Sequence, residues 1–542
     1  MVVSTRVPPD RARLDRPALV ALLLGLAGVG YRLVLTLLTV PAANSDEATF
    51  GLAAMHIAAG REHPVFLYGQ HYMGMVESYL AAPLVALAGP GWPVLRLPLV
   101  ALYALFLWLS YRLSRRLYRP WFATFTVGLL ALGTERVVRD QLTVVGGRPE
   151  GKPMVLAILL IAVGLAERRG RWRRPGWRRA AAGLAGWCAG AALWSDWLLA
   201  PYLAVACLLL LYAARRELRG WPGLLLVAGF AVGVAPLVWD NLVAPPGADS
   251  WSVLRQLSAG TGPTPPLVDR VRGGLLTGVP LATGLCPVTG CARRQEWFGV
   301  LYPVLLVAAA GLALVGYRRT AGRPAAARIR PVAQLTLLAG AALTLLSYVR
   351  SPPAATDPLA NARYLAVLQI SLPAVLWPLW LAAVACWRGT VGMVGRLVGA
   401  GATAVLAGLT ATALVATGLF LTALDAPRAD QRRARELADA VRRTGLREVY
   451  GDYWTCNRLT FDTGERVVCA VLDGQLTPGQ NRYRPYWRQV ERAERPGYVL
   501  PVDSPAERRL RGLLGDRADP ARLVEVAGYR VYHPASAVRP WR

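Results

Sequence analysis

The sequence predicts a polytopic α-helical membrane protein with about 11 transmembrane helices and an extracytoplasmic α/β domain at its C-terminal end. Three observations carry that fold class. The 542 residues are 54% hydrophobic, and they carry a net charge of +28 from 61 Lys+Arg against 33 Asp+Glu. Apolar runs of about 20 residues, the length that crosses a bilayer as a helix, follow one another along the chain. The excess charge is gathered in Arg clusters between those runs. A soluble nucleic-acid binder would not alternate its charge with such runs. Disorder is excluded by the apolar content, and a disulfide-dense scaffold by only seven cysteines.

The spans fall at about 17–40, 94–111, 121–134, 152–166, 181–194, 198–213, 223–239, 298–316, 332–348, 364–385 and 397–421. Arg clusters separate them in alternation: Arg6, Arg11, Arg13 and Arg16; Arg112, Arg115, Arg116 and Arg119; the run 168–179; Arg215, Arg216 and Arg219; Arg318, Arg319, Arg323, Arg328 and Arg330; Arg388 and Arg396. The positive-inside rule places all of these in the cytoplasm, so the N-terminus is inside and, after an odd number of crossings, the tail is outside. Residues 77–89 are apolar but cannot cross, because a crossing there would put Arg112–Arg119 outside. They read as an interfacial helix within a first outer loop, 41–93. The first apolar stretch is too long for the core of a cleaved signal and reads as a retained span.

Residues 1–424 thus form the membrane domain and 425–542 a separate outer domain. In the latter, 428–444 reads as an amphipathic helix stopped by Gly445, 448–450 as a strand, 454–461 as a short helix, and 466–471, 497–502 and 523–532 as further strands. Cys188, Cys207 and Cys386 fall with the spans. Cys286 with Cys291 and Cys456 with Cys469 form two close pairs in outer segments, where disulfides are permitted; a zinc half-site is the alternative for the first pair.

Acidic residues at helix mouths on the outer side are the places to look for chemistry. Asp46 and Glu47 follow the first span directly. Such a pair serves as a general base or holds a hydroxyl; equally, Ser45 or Asp46 caps the helix that follows. Glu150 stands at the mouth of the fourth span beside Arg148 and Lys152, the only lysine in the chain. Arg350, Asp357, Arg363 and Tyr364 precede the tenth span, and Arg96 begins the second. Outer Arg residues run against the positive-inside bias and point to an anionic partner, with lipid headgroups as the plain alternative. His56, His63 and His71 share the first loop, but their spacing matches no standard metal-ligand motif. Phe66, Tyr68, Tyr72 and Tyr79 either stack on sugar faces or anchor the interface.

The stretch SDEATFGLAAMHIAAGREHPVFLYGQHYMGMVESYLAAPL with LRLP at 95–98 resembles the first outer loop of bacterial GT-C glycosyltransferases, in the branch related to family 39, the protein O-mannosyltransferases and lipid A aminoarabinose transferases. GGRPEG resembles their second acidic loop, NARYL the Arg-Tyr before a late span, and VYGDYWTCNRLTFDTGERVVCA an outer domain found in some of them. The resemblance implies a GT-C fold and sugar transfer, with inversion, from a polyprenyl-phosphate donor to an acceptor hydroxyl of an envelope glycan, lipid or protein. Asp46 would be the base, and Glu47 and Glu150 would orient base or acceptor. Arg363, Tyr364, Lys152, Arg148 and Arg96 would meet the donor phosphate. His56, Tyr68, Gln70, Tyr72 and Glu77 would belong to the substrate loop. No cofactor is implied, and a monophosphate leaving group needs no obligatory metal. A transporter of an anionic or lipid-linked solute is the competing class, with Asp196 its candidate charge; the absence of repeated halves argues against it. A non-catalytic surface receptor is the third.

Overall fold

The computed structural model describes residues 15–258, 263–515 and 523–541, so Arg6, Arg11 and Arg13 of the first predicted cluster lie outside the described residues. The first helix, α1 (Arg16–Leu37), starts where Asp15 accepts the Ala18 amide at 3.2 Å and Pro17 occupies the first turn, where a missing N–H costs nothing. The first outer loop then folds as α2 (Ser45–Ala58), a hairpin of β1 (Phe66–Leu67) and β2 (Gln70–Gly74), and α3 (Val76–Ala88). Asn44 caps α2 by accepting the Glu47 amide at 2.9 Å. The capping expected of Ser45 or Asp46 therefore falls to their neighbour, and the Asp46 side chain is released for other contacts. At 13 residues α3 is too short to cross, as the Arg112–Arg119 cluster requires.

The long helices continue with α4 (Trp92–Leu117), α5 (Pro120–Ala131), the short α6 (Glu135–Leu142), α7 (Arg148–Glu167), α8 (Pro175–Ser195), α9 (Ala200–Ala214) and α10 (Trp221–Val243). A loop region carries α11 (Ser250–Ser258), α12 (Leu267–Arg272) and α13 (Val279–Ala282). It leads to α14 (Arg293–Arg319), α15 (Ala325–Arg350), two single turns α16 (Pro353–Thr356) and α17 (Pro358–Asn361), α18 (Leu372–Trp387) and α19 (Met393–Thr422).

All eleven predicted spans are helical. Among the described residues, eight helices are long and apolar enough to cross; the pair Pro358–Ile370 and Leu372–Trp387 passes the same test only together and is bent by 61°, the form of a broken span or a re-entrant loop. A continuous tenth span was expected there; Pro373, lacking an N–H, cannot carry the helix ladder back across the break. The remaining two are special cases. Helix α5 has only 12 residues. Its last carbonyls are met by Arg32, buried in α1, which donates to the carbonyls of Ala131 and Leu132, the latter at 2.9 Å, and to Gln141 at 3.0 Å. Helix α8 is long enough but rich in Gly and Trp, and it gains its partner by shape. A Cβ at Gly186 would stand 2.0 Å from the Leu226 carbonyl of α10, and one at Gly229 of α10 2.1 Å from that of Gly183. Backbones approach this closely only through small residues, the usual solution between helices in lipid.

Three of the Arg clusters meet at one end of the bundle, where Arg112, Arg116, Arg169 and Arg330 line one cavity. Arg115 pairs with Asp15, and Arg168 and Arg178 share Glu217. The sheet domain covers the other end, where Trp92 at the start of α4 donates to Asp462 at 2.7 Å. This domain comprises α20 (Asp425–Arg443), β3 (Glu448–Gly451), α21 (Tyr453–Asp462), β4 (Val468–Val471), α22 (Arg484–Arg492), β5 (Gly497–Pro501), α23 (Pro505–Leu514), β6 (Leu523–Val526) and β7 (Tyr529–Tyr532). The sheet order is β4-β3-β5-β7-β6, with β3 parallel to β4 and β5, and β7 antiparallel to β5 and β6. The single strand expected over 523–532 is a hairpin, turning at Ala527 and Gly528 with φ of 54° and 83°. Cys456 joins Cys469, tying α21 to β4, and Cys286 joins Cys291 in the loop before α14.

Candidate functional site

Sequence-distant pieces meet where the first loop faces the sheet domain: the start of α2, the 146–148 turn, the α8–α9 turn, the Ala362–Ile370 segment and the domain's own α21 and 482–484 stretch. Glycine makes the approach possible. A Cβ at Gly147, which has φ +80°, would lie 2.1 Å from the Asp196 Cβ, and one at Gly74 would lie 2.6 Å from the Trp194 carbonyl. Met73 of β2 bridges Asp196 in β fashion, which fastens the hairpin to the mouth of α8.

Asp46 is the reachable carboxylate of this site, its side chain 35% exposed. Its Oδ1 accepts from the Tyr453 hydroxyl and, at 2.9 Å, from Arg482 Nη2. Arg482 also donates through Nε to Tyr453. Arg363 lies within electrostatic reach of Asp46 and Asp140, and its guanidinium lies over the Tyr364 ring at 5.1 Å. Tyr72 lies within reach of Tyr364, Arg482, Asp196 and Arg363, and burial pushes its phenol up. Arg148 pairs with Asp140 at 3.1 Å and reaches Asp196 electrostatically; burial pushes the Asp196 carboxyl up to about 6. Two guanidinium nitrogens in the site are buried with no partner, Arg363 Nε and Arg482 Nη1. A half-exposed carboxylate ringed by Arg and Tyr suits proton removal beside an anion.

Several residues marked by the sequence are placed elsewhere. Glu47 and Arg96, expected to face substrate, are buried and spend themselves on each other. Lys152 is buried, donating to Gln369 at 2.9 Å, and lies within electrostatic reach of Asp140 and Arg148. Glu150 is buried, accepting from the Gly147 amide at 3.0 Å and from the Ser195 hydroxyl. Glu77, also buried, accepts from the Gly146 amide at 2.8 Å and meets Glu150, so these two acids hold the 146–147 turn. His56 and Tyr68, expected in the substrate loop, are in the seam with the sheet domain. The His56 ring bonds to Tyr68 at 2.7 Å, to Glu465 at 3.0 Å and to Tyr486 at 3.1 Å. Gln70 lies on β2, paired with Leu67 across the hairpin. His71 bonds Asp240 at 3.1 Å, and no three His, Cys, Asp or Glu converge among the described residues.

Tyr453 and Arg482 were not singled out from the sequence. Tyr453 follows Asp452, the cap of α21, and a sequence pattern marks only the cap. Arg482 is one of 61 basic residues, and nothing in its neighbours sets it apart. A cavity of about 710 Å³ lies far from this site, at the Arg-rich ends of α1 and α4, lined by Leu22, Trp108, Arg112 and Arg116 among others. Its position at the opposite end of α4 from Trp92 removes it from the chemistry at Asp46.

Solved structures share the arrangement of long apolar helices under a C-terminal sheet domain. The crystal structure of ArnT from Cupriavidus metallidurans bound to undecaprenyl phosphate matches with a TM-score of 0.56 and 14% identity, over 94% of this chain and 97% of that one. The same protein in the apo state matches with a TM-score of 0.55 over the same shares, again at 14% identity. The archaeal oligosaccharyltransferase AglB from Archaeoglobus fulgidus, in complex with an inhibitory peptide and a dolichol-phosphate, gives a weaker likeness: TM-score 0.48, 12% identity, 90% of this chain and 69% of that one. No family model and no curated protein sequence matches. At these identities the likeness shows the fold alone: this chain shares the polytopic membrane fold of ArnT.

Proposed function

We propose that this chain is a membrane glycosyltransferase that moves a sugar from a polyprenyl-phosphate donor to an acceptor hydroxyl on the extracytoplasmic face. Asp46 takes the proton of the acceptor hydroxyl while its oxygen attacks the anomeric carbon from the side opposite the phosphate. The bond from that carbon to the phosphate oxygen breaks, and the polyprenyl monophosphate leaves with the electron pair, inverting the sugar centre. Arg363, with Arg148 behind it, meets the charge that develops on the leaving group, so the step is assigned no metal. Glu47 and Glu150 act as positioning residues through Arg96 and the 146–147 turn. In the orientation given by the positive-inside rule, the N-terminus is cytoplasmic and the sheet domain lies outside.

One observation carries this reading: Asp46, a partly exposed carboxylate of the site, lies within electrostatic reach of a half-buried Arg363 whose Nε is itself buried with no hydrogen-bond partner among the described residues. That a GT-C structure of the same fold was solved with undecaprenyl phosphate supports the donor class. The test is transfer by the purified chain from a panel of polyprenyl-phosphate sugars, wild type beside Asp46→Asn. Transfer is expected from at least one donor and should fall by at least about 100-fold in the variant. Equal transfer by both would remove Asp46 from the mechanism. Solute flux into liposomes with no transfer from any donor would put a transporter in its place.

A further inference from the structure

We propose that the C-terminal sheet domain completes the active site: Tyr453 and Arg482 fix the Asp46 carboxylate through its Oδ1, and the spare Nη1 of Arg482 is a ligand for the donor phosphate. This deepens the reading of the same site given above and rests on it.

The contacts divide the carboxylate in two. Both donors from the sheet domain, the Tyr453 hydroxyl and Arg482 Nη2, address Oδ1. Among the described residues Oδ2 meets no donor, and it is the oxygen left to take a proton. A general base held by one oxygen presents the other in a fixed direction, as an orienting partner does for other catalytic bases. Ser45 reinforces the join, its hydroxyl donating to the Tyr453 carbonyl one residue before Asp46. The base and its holders are more than 400 residues apart in sequence, so the geometry exists only while the sheet domain is docked.

Arg482 is more than a clamp. Its side chain is 6% exposed, and Nη1 is buried without a hydrogen-bond partner. Leaving a guanidinium N–H unpaired in a buried site costs free energy unless a ligand fills it. The groups around it select the ligand. Tyr72 lies within electrostatic reach of both Arg482 and Arg363, and both guanidiniums act on Asp46, Arg482 by a hydrogen bond and Arg363 through its charge. A phosphate monoester offers the fork of oxygens that guanidinium groups meet best.

The experiment is equilibrium binding of undecaprenyl phosphate to the full chain in detergent micelles, with transfer kinetics alongside. Arg482→Gln is expected to weaken lipid-phosphate binding and raise donor KM about tenfold, whereas Arg482→Lys should recover most of the binding. Tyr453→Phe is expected to leave KM near wild type and lower kcat about tenfold. In the unaltered chain, adding undecaprenyl phosphate should slow amide exchange over 479–484; this arm needs no variant and stands even if a substitution misfolds. Undiminished binding by Arg482→Gln, or unchanged exchange over 479–484 at saturating lipid, overturns the proposal while leaving the glycosyltransferase reading intact. If the wild type neither binds the lipid phosphate nor transfers from it, the broader reading fails first.

Discussion

Glu47 and Arg96 form a two-pronged ion pair with both side chains fully buried, Arg96 Nε donating to Oε1 at 2.7 Å and Nη2 to Oε2 at 2.6 Å. The remaining Arg96 donor reaches the Pro41 carbonyl at 2.8 Å, and Glu47 also accepts the Val144 amide at 3.3 Å. The pair thus ties α4, the end of the first span and the segment before the 146–147 turn to the residue next to Asp46. Removing one partner leaves a buried charge alone, at a cost of about 3–5 kcal/mol. Arg96→Met and Glu47→Gln are therefore each expected to lower the thermal midpoint strongly, and the double variant to recover part of the loss. Single variants as stable as wild type in detergent would refute the pair as the anchor of Asp46.

How far the sequence could be read depends on the range of the interaction. Hydrophobic run length and Arg alternation are local or face-wide signals, and they marked the eleven apolar helical stretches and the short α3, but not α6, α11–α13, α16 or α17. Most strands of the sheet domain were legible because a strand buried on both faces writes a short apolar run into adjacent residues. The fate of Glu47, Glu77 and Glu150 was not. An acid at a helix mouth looks the same in sequence whether it faces a cavity or a buried Arg, and only the fold brings Arg96 to Glu47 or Glu77 to Glu150. The bend before α18 was written in Pro373, but its apolar flanks masked it. Arg482 and Tyr453 were invisible because docking of the sheet domain is what gives them a role.

The Glu77–Glu150 contact predicts a stability that depends on pH. Burial, and then the charge of Glu150, push the Glu77 carboxyl well above its ordinary range. Glu77 Oε1 is buried without a hydrogen-bond partner among the described residues, and a proton on Glu77 relieves both its burial and its repulsion from Glu150. The folded state then binds more protons than the unfolded one above the ordinary glutamate pKa of 4.5, so stability falls as pH rises from there toward the raised value. Glu150→Gln keeps an oxygen for the Gly147 amide and the Ser195 hydroxyl and should lessen that slope, leaving the part due to burial. A thermal midpoint with the same pH dependence in both proteins would exclude the charge of Glu150 as a cause.

Helix α8 should be held in place by its glycines more than by its own apolarity. A side chain at Gly186 must push the Leu226 backbone away, and overpacking of this kind costs about 1–3 kcal/mol. Gly186→Val is expected to lower stability by that amount, while Gly176→Val, at a position with nothing within 4 Å, should be neutral in packing. Equal effects of the two substitutions in thermal unfolding would show that α8 and α10 do not rely on close backbone contact.

Docking of the sheet domain should weaken in acid, because its seam with the first loop is built around a carboxylate. Burial raises Glu465, but hydrogen bonds from His56, Arg61 and Tyr486 outweigh it and hold the group at about 2. A depressed carboxylate contributes stability that is complete above the unfolded value near 4.5 and is lost as pH falls through about 2. Because the same docking presents Tyr453 and Arg482 to Asp46, the loss should be seen at the site as well as in the seam. Amide protection over 453–462 is expected to drop between about pH 4.5 and 2 in the wild type, and to be already reduced at pH 7 in Glu465→Gln. Protection factors that stay level through that range, with Glu465→Gln indistinguishable from wild type at pH 7, would mean the seam is held by its apolar contacts, Phe461 against Gly51 and Trp92, and not by this charge.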